Sequence, residues 1–245
     1  MPDLPLWLWM LTLATGLVAS GVTTITGIGE GMMIYGILSF FFGLKSIIPV
    51  VALAQLCTAS LRFWLFRGYI HWRLASYFFL GVLPGIYGGT LLFHWLSERA
   101  LRRALGVFLL GFVVYECLQR KALRVAPRVG WLPLGGCGAG ILSGSIGVAG
   151  PLLVMVFLRY GLLREELVAM TALYFLLGSA QRTLLYWHQG TLSGEHVGLA
   201  VALGLAMLGG VYLGRLVLPR VSRQLFIKLV LGMLALFGIQ FVSFR

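Results

Sequence analysis

Charge is scarce in this 245-residue chain, and carboxylates above all: Asp and Glu number 7, and charged residues make up 11% of the total, against about a quarter in soluble domains. Such a chain cannot clothe a soluble surface in ionised side chains. Cysteine is scarce as well. Cys57, Cys117 and Cys137 fall in apolar stretches with no CxxC or Cys/His ligand spacing, which makes them small packing residues and argues against a metal site or a disulfide. The four histidines, His71, His94, His188 and His196, form no HxxxH or HExxH pattern and fall at the ends of apolar runs, where interfacial anchoring is their expected role. No phosphate-cradling loop, nucleophile elbow or catalytic dyad occurs. The expectation is a protein that is not an enzyme and needs no cofactor. The opening residues Met1-Pro2-Asp3-Leu4-Pro5 lack the basic segment of a cleaved signal peptide, so the first apolar run reads as a retained span.

What the chain does have is apolar surface: hydrophobic residues make up 60% and the mean hydropathy is +0.96. The reading is an all-α polytopic membrane protein, because a span needs about 20 residues at 1.5 Å each, and 245 residues could hold about ten such segments with short connections and no room for a large soluble domain. The net charge of +12 would suggest nucleic acid in a soluble chain. Here the Lys and Arg collect between apolar runs, where loops and anionic headgroups take them, so the partner is the bilayer and the charge is topology.

Taken in order, residues 6–25 make a span A, 32–42 a half-span A′, 47–66 a span B, 74–96 a span C and 100–118 a span D, with Lys45 and Pro49 marking the turn before B. The basic stretch 120–128 divides a first membrane repeat (1–119) from a second (129–245), which runs A 129–146, A′ 152–160, B 166–187, C 197–217 and D 224–242. Landmarks recur across the divide. Gly27 and Gly147 are 120 positions apart, as are Arg62 and Arg182, while Gly85 and Gly89 precede Gly210 and Gly214 by 125. An ordered set of this kind indicates duplication. If A and A′ form a re-entrant hairpin, the three remaining spans invert the second repeat relative to the first. With the linker cytoplasmic, twice as many Lys and Arg fall inside as outside, which sets an inner (plasma) membrane orientation with both termini extracytoplasmic. Gly81, Gly85 and Gly89 on C, at four-residue spacing, read as a helix-packing seam, used either between the two bundles or in a homodimer.

Two glycine-rich breaks then define the candidate site: Thr26-Gly27-Ile28-Gly29-Glu30-Gly31-Met32 and Ile146-Gly147-Val148-Ala149-Gly150-Pro151-Leu152. Non-helical backbone at membrane depth is tolerated only where protein buries it or water reaches it. Each A′ begins beside a break, so its free N–H groups and positive dipole end suit a small anion. Arg62 and Arg182 supply planar donor forks for the same anion, with snorkelling to the interface as the competing reading. Gln55, Thr171 and Tyr174 are the further cavity candidates on the B spans; Thr58, Ser60 and Ser179 are weaker signals of the same kind. Glu30 is the acid expected nearest the membrane centre, where a carboxylate is costly. It caps A′, pairs with Arg62 or Arg182, or takes up a proton that couples transport. No metal site is expected.

At the two breaks the chain resembles the TauE/SafE family of membrane transporters, associated with export of sulfite and related sulfur oxyanions or organosulfonates. That family carries Gly-x-Gly-Gly-Gly followed by apolar residues and Pro in each half. Gly27-Ile28-Gly29-Glu30-Gly31 matches with Glu30 in place of a glycine, and Gly147-Val148-Ala149-Gly150-Pro151 keeps two of the glycines. The loop Arg67-Gly68-Tyr69-Ile70-His71-Trp72-Arg73 and the glycine-striped C spans are similar too. The resemblance implies a secondary exporter of a small sulfur oxyanion working by alternating access around a midplane site. Two other readings stay open: a cation or metal transporter with Glu30 as ligand, weakened by the lack of carboxylate or His partners nearby, and a membrane assembly factor without transport.

Overall fold

The computed structural model of the chain describes residues 5–26, 29–118, 128–162, 164–192 and 194–217, with positions 235 and 239. Every regular element among them is helical: α1 Leu6–Thr26, α2 Glu30–Leu38, α3 Leu44–Phe66, α4 Trp72–Trp95, α5 Glu98–Leu118, α6 Leu132–Ile146, α7 Gly150–Arg159, α8 Arg164–His188 and α9 Gly194–Val217. Helices satisfy the backbone internally, as lipid demands, and hydroxyls follow suit by donating to the preceding turn, as Thr12 does to the Leu8 carbonyl and Ser145 to that of Ile141. Among the described residues, five segments are long and apolar enough to cross a membrane: Leu6–Ile25, Leu44–Tyr69, Trp72–Trp95, Val129–Ile146 and His196–Val217. Large apolar side chains such as Leu80, Leu134, Leu205 and Trp95 face outward, which a bilayer accommodates and water does not.

Most expected boundaries fall within three residues of the observed ones. The exceptions have a tertiary cause. A′ starts at Glu30 and ends at Leu38, and Lys45 and Pro49, expected to mark a turn, lie inside the first two turns of α3. The N-terminus of α3 is secured from a distance: the Glu98 carboxylate of α5 accepts the Leu44 N–H at 2.9 Å. Pro49 then removes only the amide that would bond the Lys45 carbonyl. The linker up to position 127 and the second D span lie outside the described residues, apart from helical positions 235 and 239.

Packing relates the two halves. α4 lies along α6 and α1 along α9; α3 packs on α8; α3 touches α9 as α4 touches α8. Under the exchange of α1 with α6, α3 with α8 and α4 with α9, each contact has its counterpart. The glycine register agrees. A methyl group built on Gly85 would stand 2.5 Å from the Cys137 carbonyl oxygen, and one on Gly210 would stand 2.0 Å from that of Leu17; Cys137 and Leu17 are themselves 120 positions apart. The C-span glycine stripes are therefore used within the chain, backbone against backbone, each against the A span of the other half. That occupies the face on which a glycine-mediated dimer would depend. Cys137 belongs to this seam, whereas Cys57 is exposed. His71, His94, His188 and His196 all sit at helix ends, with His71 bonded to Glu166 at 2.9 Å and His94 to Gln189 at 2.7 Å.

Two apolar cores flank the centre. One gathers Ile34 and Leu38 of α2, Ile48 and Val51 of α3, and Leu203 and Met207 of α9. The other gathers Phe78, Val82 and Ile86 of α4 with Ala139, Phe157 and Leu173. The polar residues of α3 and α8 lie between them.

Candidate functional site

The breaks are real and they meet. α1 stops at Thr26 and α2 starts at Glu30, with Gly29 at φ 117; α6 stops at Ile146 and α7 starts at Gly150, with Gly147 at φ 74. Both are left-handed conformations that suit glycine. The first bond of α2 runs from the Met33 N–H to the Gly29 carbonyl at 2.9 Å, and that of α7 from the Leu153 N–H to the Ala149 carbonyl at 3.0 Å. The N–H groups of Glu30, Gly31 and Met32, and of Gly150 and Leu152, thus have no partner within their helices. Pro151, in the first turn of α7, has no N–H to offer. Gly27 lies outside the described residues.

A methyl group built on Gly31 would touch the Gly147 carbonyl at 3.4 Å and the Gln55 amide nitrogen at 3.5 Å. Around this approach lies a crevice of about 10 Å³ lined by Gly29, Glu30, Gly31, Met32, Gln55, Gly147, Val148, Ala149, Gly150 and Phe175. That volume is at the lower limit for one water. A polyatomic ion enters only if the halves separate.

Both arginines are buried, Arg62 at 2% and Arg182 at 1% exposure, so neither snorkels. Their surroundings differ. Arg62 pairs with Glu30 at 2.5 Å, Thr58 donates to the other oxygen of that carboxylate at 2.9 Å, and the guanidinium stands over the Phe175 ring at 6.0 Å. Both Glu30 oxygens thus accept from α3 side chains rather than capping the first turn of α2. Arg182 donates to the Gln55 side-chain oxygen at 2.9 Å, the Ser179 hydroxyl at 3.2 Å and the Ser143 carbonyl at 3.2 Å. No carboxylate pairs with it among the described residues. Among the described residues, Arg62 Nε and Nη1 and Arg182 Nε find no hydrogen-bond partner.

The 120-position spacing that relates the two arginines relates Glu30 to Gly150 and Gln55 to Phe175, and the difference follows from those residue types. Each guanidinium reaches the same place on the opposing B helix, but only one finds an amide there and only the other has an acid. Neither arginine lines the crevice. Each stands one residue behind it, Arg62 behind Glu30 and Phe175, Arg182 behind Gln55.

The other expected site residues separate. Gln55 lines the crevice. Thr171 donates to the Val168 carbonyl of its own helix at 3.0 Å, and Tyr174 ties α8 to α6 through the Ala139 carbonyl at 2.9 Å; neither lines the crevice. Sequence reasoning missed Tyr35, fully buried on α2, whose hydroxyl stands beside the Arg182 guanidinium. Its apolar neighbours carry no signal for it; only the second break, across the centre, makes it notable. Ser143 was detectable as the counterpart of Thr23, 120 positions earlier. No group of three His, Cys, Asp or Glu side chains suited to a metal exists among the described residues.

Residues 12–241 match the family described as "Sulfite exporter TauE/SafE". A relative from Cupriavidus necator, described as "Probable sulfite/organosulfonate exporter TauE", is 33% identical over 177 residues, covering 69% of this chain and 68% of the relative. No solved structure matches the chain. The matched span runs through both breaks, both buried arginines and both glycine seams, and members of the family are transporters rather than enzymes. The chain therefore belongs to the TauE/SafE family of membrane transporters.

Proposed function

We propose that this protein exports a small sulfur oxyanion, sulfite or an organosulfonate, by alternating access around the crevice where the two breaks meet. The observation that carries the reading is Arg182, a buried guanidinium with no acidic partner among the described residues, set one residue behind half-helix N-termini. An uncompensated buried cation costs several kcal/mol, and an anion brought to the crevice offsets that cost. The free N–H groups and dipole ends of α2 and α7 add to the attraction, and the planar fork of Arg182 suits the oxygens of a sulfite or sulfonate group. The relative's printed substrate narrows the class to sulfur.

In this reading the halves are inverted repeats, an arrangement supported by the exchange symmetry of their contacts, and the one-water crevice is the closed state between two openings. The excess of Lys and Arg around the central linker supports an inner-membrane orientation with that linker cytoplasmic. A cation reading is not favoured, because Arg62 and Thr58 already take the Glu30 oxygens. The test is sulfite efflux from loaded proteoliposomes. Wild-type protein should release sulfite and Arg182→Met should not; equal release by both would sink the proposal.

A further inference from the structure

We propose that Glu30 sets the charge of the anion this centre accepts: by neutralising Arg62 it leaves Arg182 as the uncompensated cation, and it so favours a singly charged sulfonate over a doubly charged oxyanion. The inference rests on the anion-transport reading above.

Three observations support it. Among the described residues, the charged side chains buried in the protein are Glu30, Arg62 and Arg182, and these three together carry one net positive charge. Glu30 lines the crevice while Arg62 stands behind it, and an incoming anion therefore meets the carboxylate before the guanidinium that neutralises it. The second half lacks this acid: Gly150 stands at the position equivalent to Glu30, 120 residues on, and Arg182 is left with an amide, a hydroxyl and a carbonyl as acceptors. Glycine at both positions would give a centre of charge +2, matched to a dianion. Glutamate at one of them gives +1.

The charge of the ligand amplifies the effect. Removing the carboxylate multiplies the affinity of a monoanion by some factor and that of a dianion by its square, since each ligand charge feels the same change in potential. For charges about 6 Å apart at an effective dielectric of about 20, that factor is of order 10 to 100.

The probes are methanesulfonate, a monoanion, and sulfate, a dianion, titrated against purified protein at constant ionic strength, with sulfite efflux measured in parallel. Wild-type protein should prefer methanesulfonate. Glu30→Gln should shift the sulfate-to-methanesulfonate affinity ratio upward by about 10- to 100-fold, and Glu30→Gln with Arg62→Gln, which restores a net charge of one, should return the ratio to wild type. Sulfate present throughout purification supplies a counter-ion if Glu30→Gln is unstable. Arg62→Gln alone reads the same quantity with opposite sign, sulfate losing more affinity than methanesulfonate. An unchanged ratio in Glu30→Gln, or a double variant that keeps the ratio of Glu30→Gln, overturns the charge assignment while leaving anion export standing. Wild-type protein that binds none of sulfite, sulfate and methanesulfonate overturns both.

Discussion

The two arginines occupy matching positions 120 residues apart, yet their removal should have unequal effects on stability. Arg62→Met leaves the Glu30 carboxylate buried with Thr58 as its remaining partner. Breaking a buried ion pair from one side costs about 3–5 kcal/mol. At about 2–4 °C per kcal/mol for a chain of this size, the melting temperature of the detergent-solubilised protein should fall by roughly 6–20 °C. Adding Glu30→Gln should recover most of the loss, since it removes the stranded charge. Arg182→Met strands no carboxylate among the described residues. It gives up three hydrogen bonds at 2.9–3.2 Å, each worth about 1.5–3 kcal/mol to a charged group, and it gains the desolvation of a buried cation, several kcal/mol. The two terms are of similar size and largely cancel. Arg182→Met should therefore melt within a few degrees of wild type while abolishing sulfite efflux. Intrinsic tryptophan fluorescence during heating reads the first quantity and loaded proteoliposomes the second. A fall for Arg182→Met as large as that for Arg62→Met would refute the reasoning, because it would mean that the fold already compensates Arg182 and has no vacancy for an anion.

Along α4, Gly81→Ala should be severely destabilising, since its methyl group would lie within 2 Å of the Pro133 carbonyl oxygen, whereas Gly88→Ala, with nothing within 4 Å, should be neutral or stabilising by a few tenths of a kcal/mol to about 1; parallel expression and melting assays separate them. Gly147→Ala should impair both folding and efflux, as it forces a side chain into φ 74 and sets a methyl group 2.5 Å from the Tyr35 hydroxyl; Tyr35→Phe in the same background should restore part of the melting temperature. Tyr174→Phe loses one bond to the Ala139 carbonyl and should cost about 1 kcal/mol of stability with efflux retained, whereas a Tyr174 that bound substrate would show the reverse.

Much of the organisation was legible in the residues. Hydropathy and helical length marked the spans, and the breaks at Gly29 and Gly147 announced themselves because few residues other than glycine tolerate the backbone they adopt. The seam glycines were visible by spacing, but not their partner. A stripe of small residues says that a backbone approaches closely, without saying whose, and Gly85 meeting Cys137 of the opposite half is decided by how the helices assemble. Pro49 misled because its place inside α3 depends on Glu98, more than 40 residues away, capping that helix from α5.

The candidate site divides in the same way. Sequence alone pointed to two breaks, two arginines and one acid in one apolar protein, with snorkelling left open for the arginines, because composition leaves such groups few other stable places and a 120-residue spacing gives the breaks and the arginines matching positions. Only the tertiary structure decided that Glu30 takes Arg62 and not Arg182, that Thr171 and Tyr174 turn to backbone carbonyls, and that Tyr35 reaches across to the second break. The physical reason is that hydrogen bonds and ion pairs act over about 3 Å. Periodicity places a side chain on a helix face; which arginine lies within that distance of the carboxylate is settled when α2, α3 and α8 pack together.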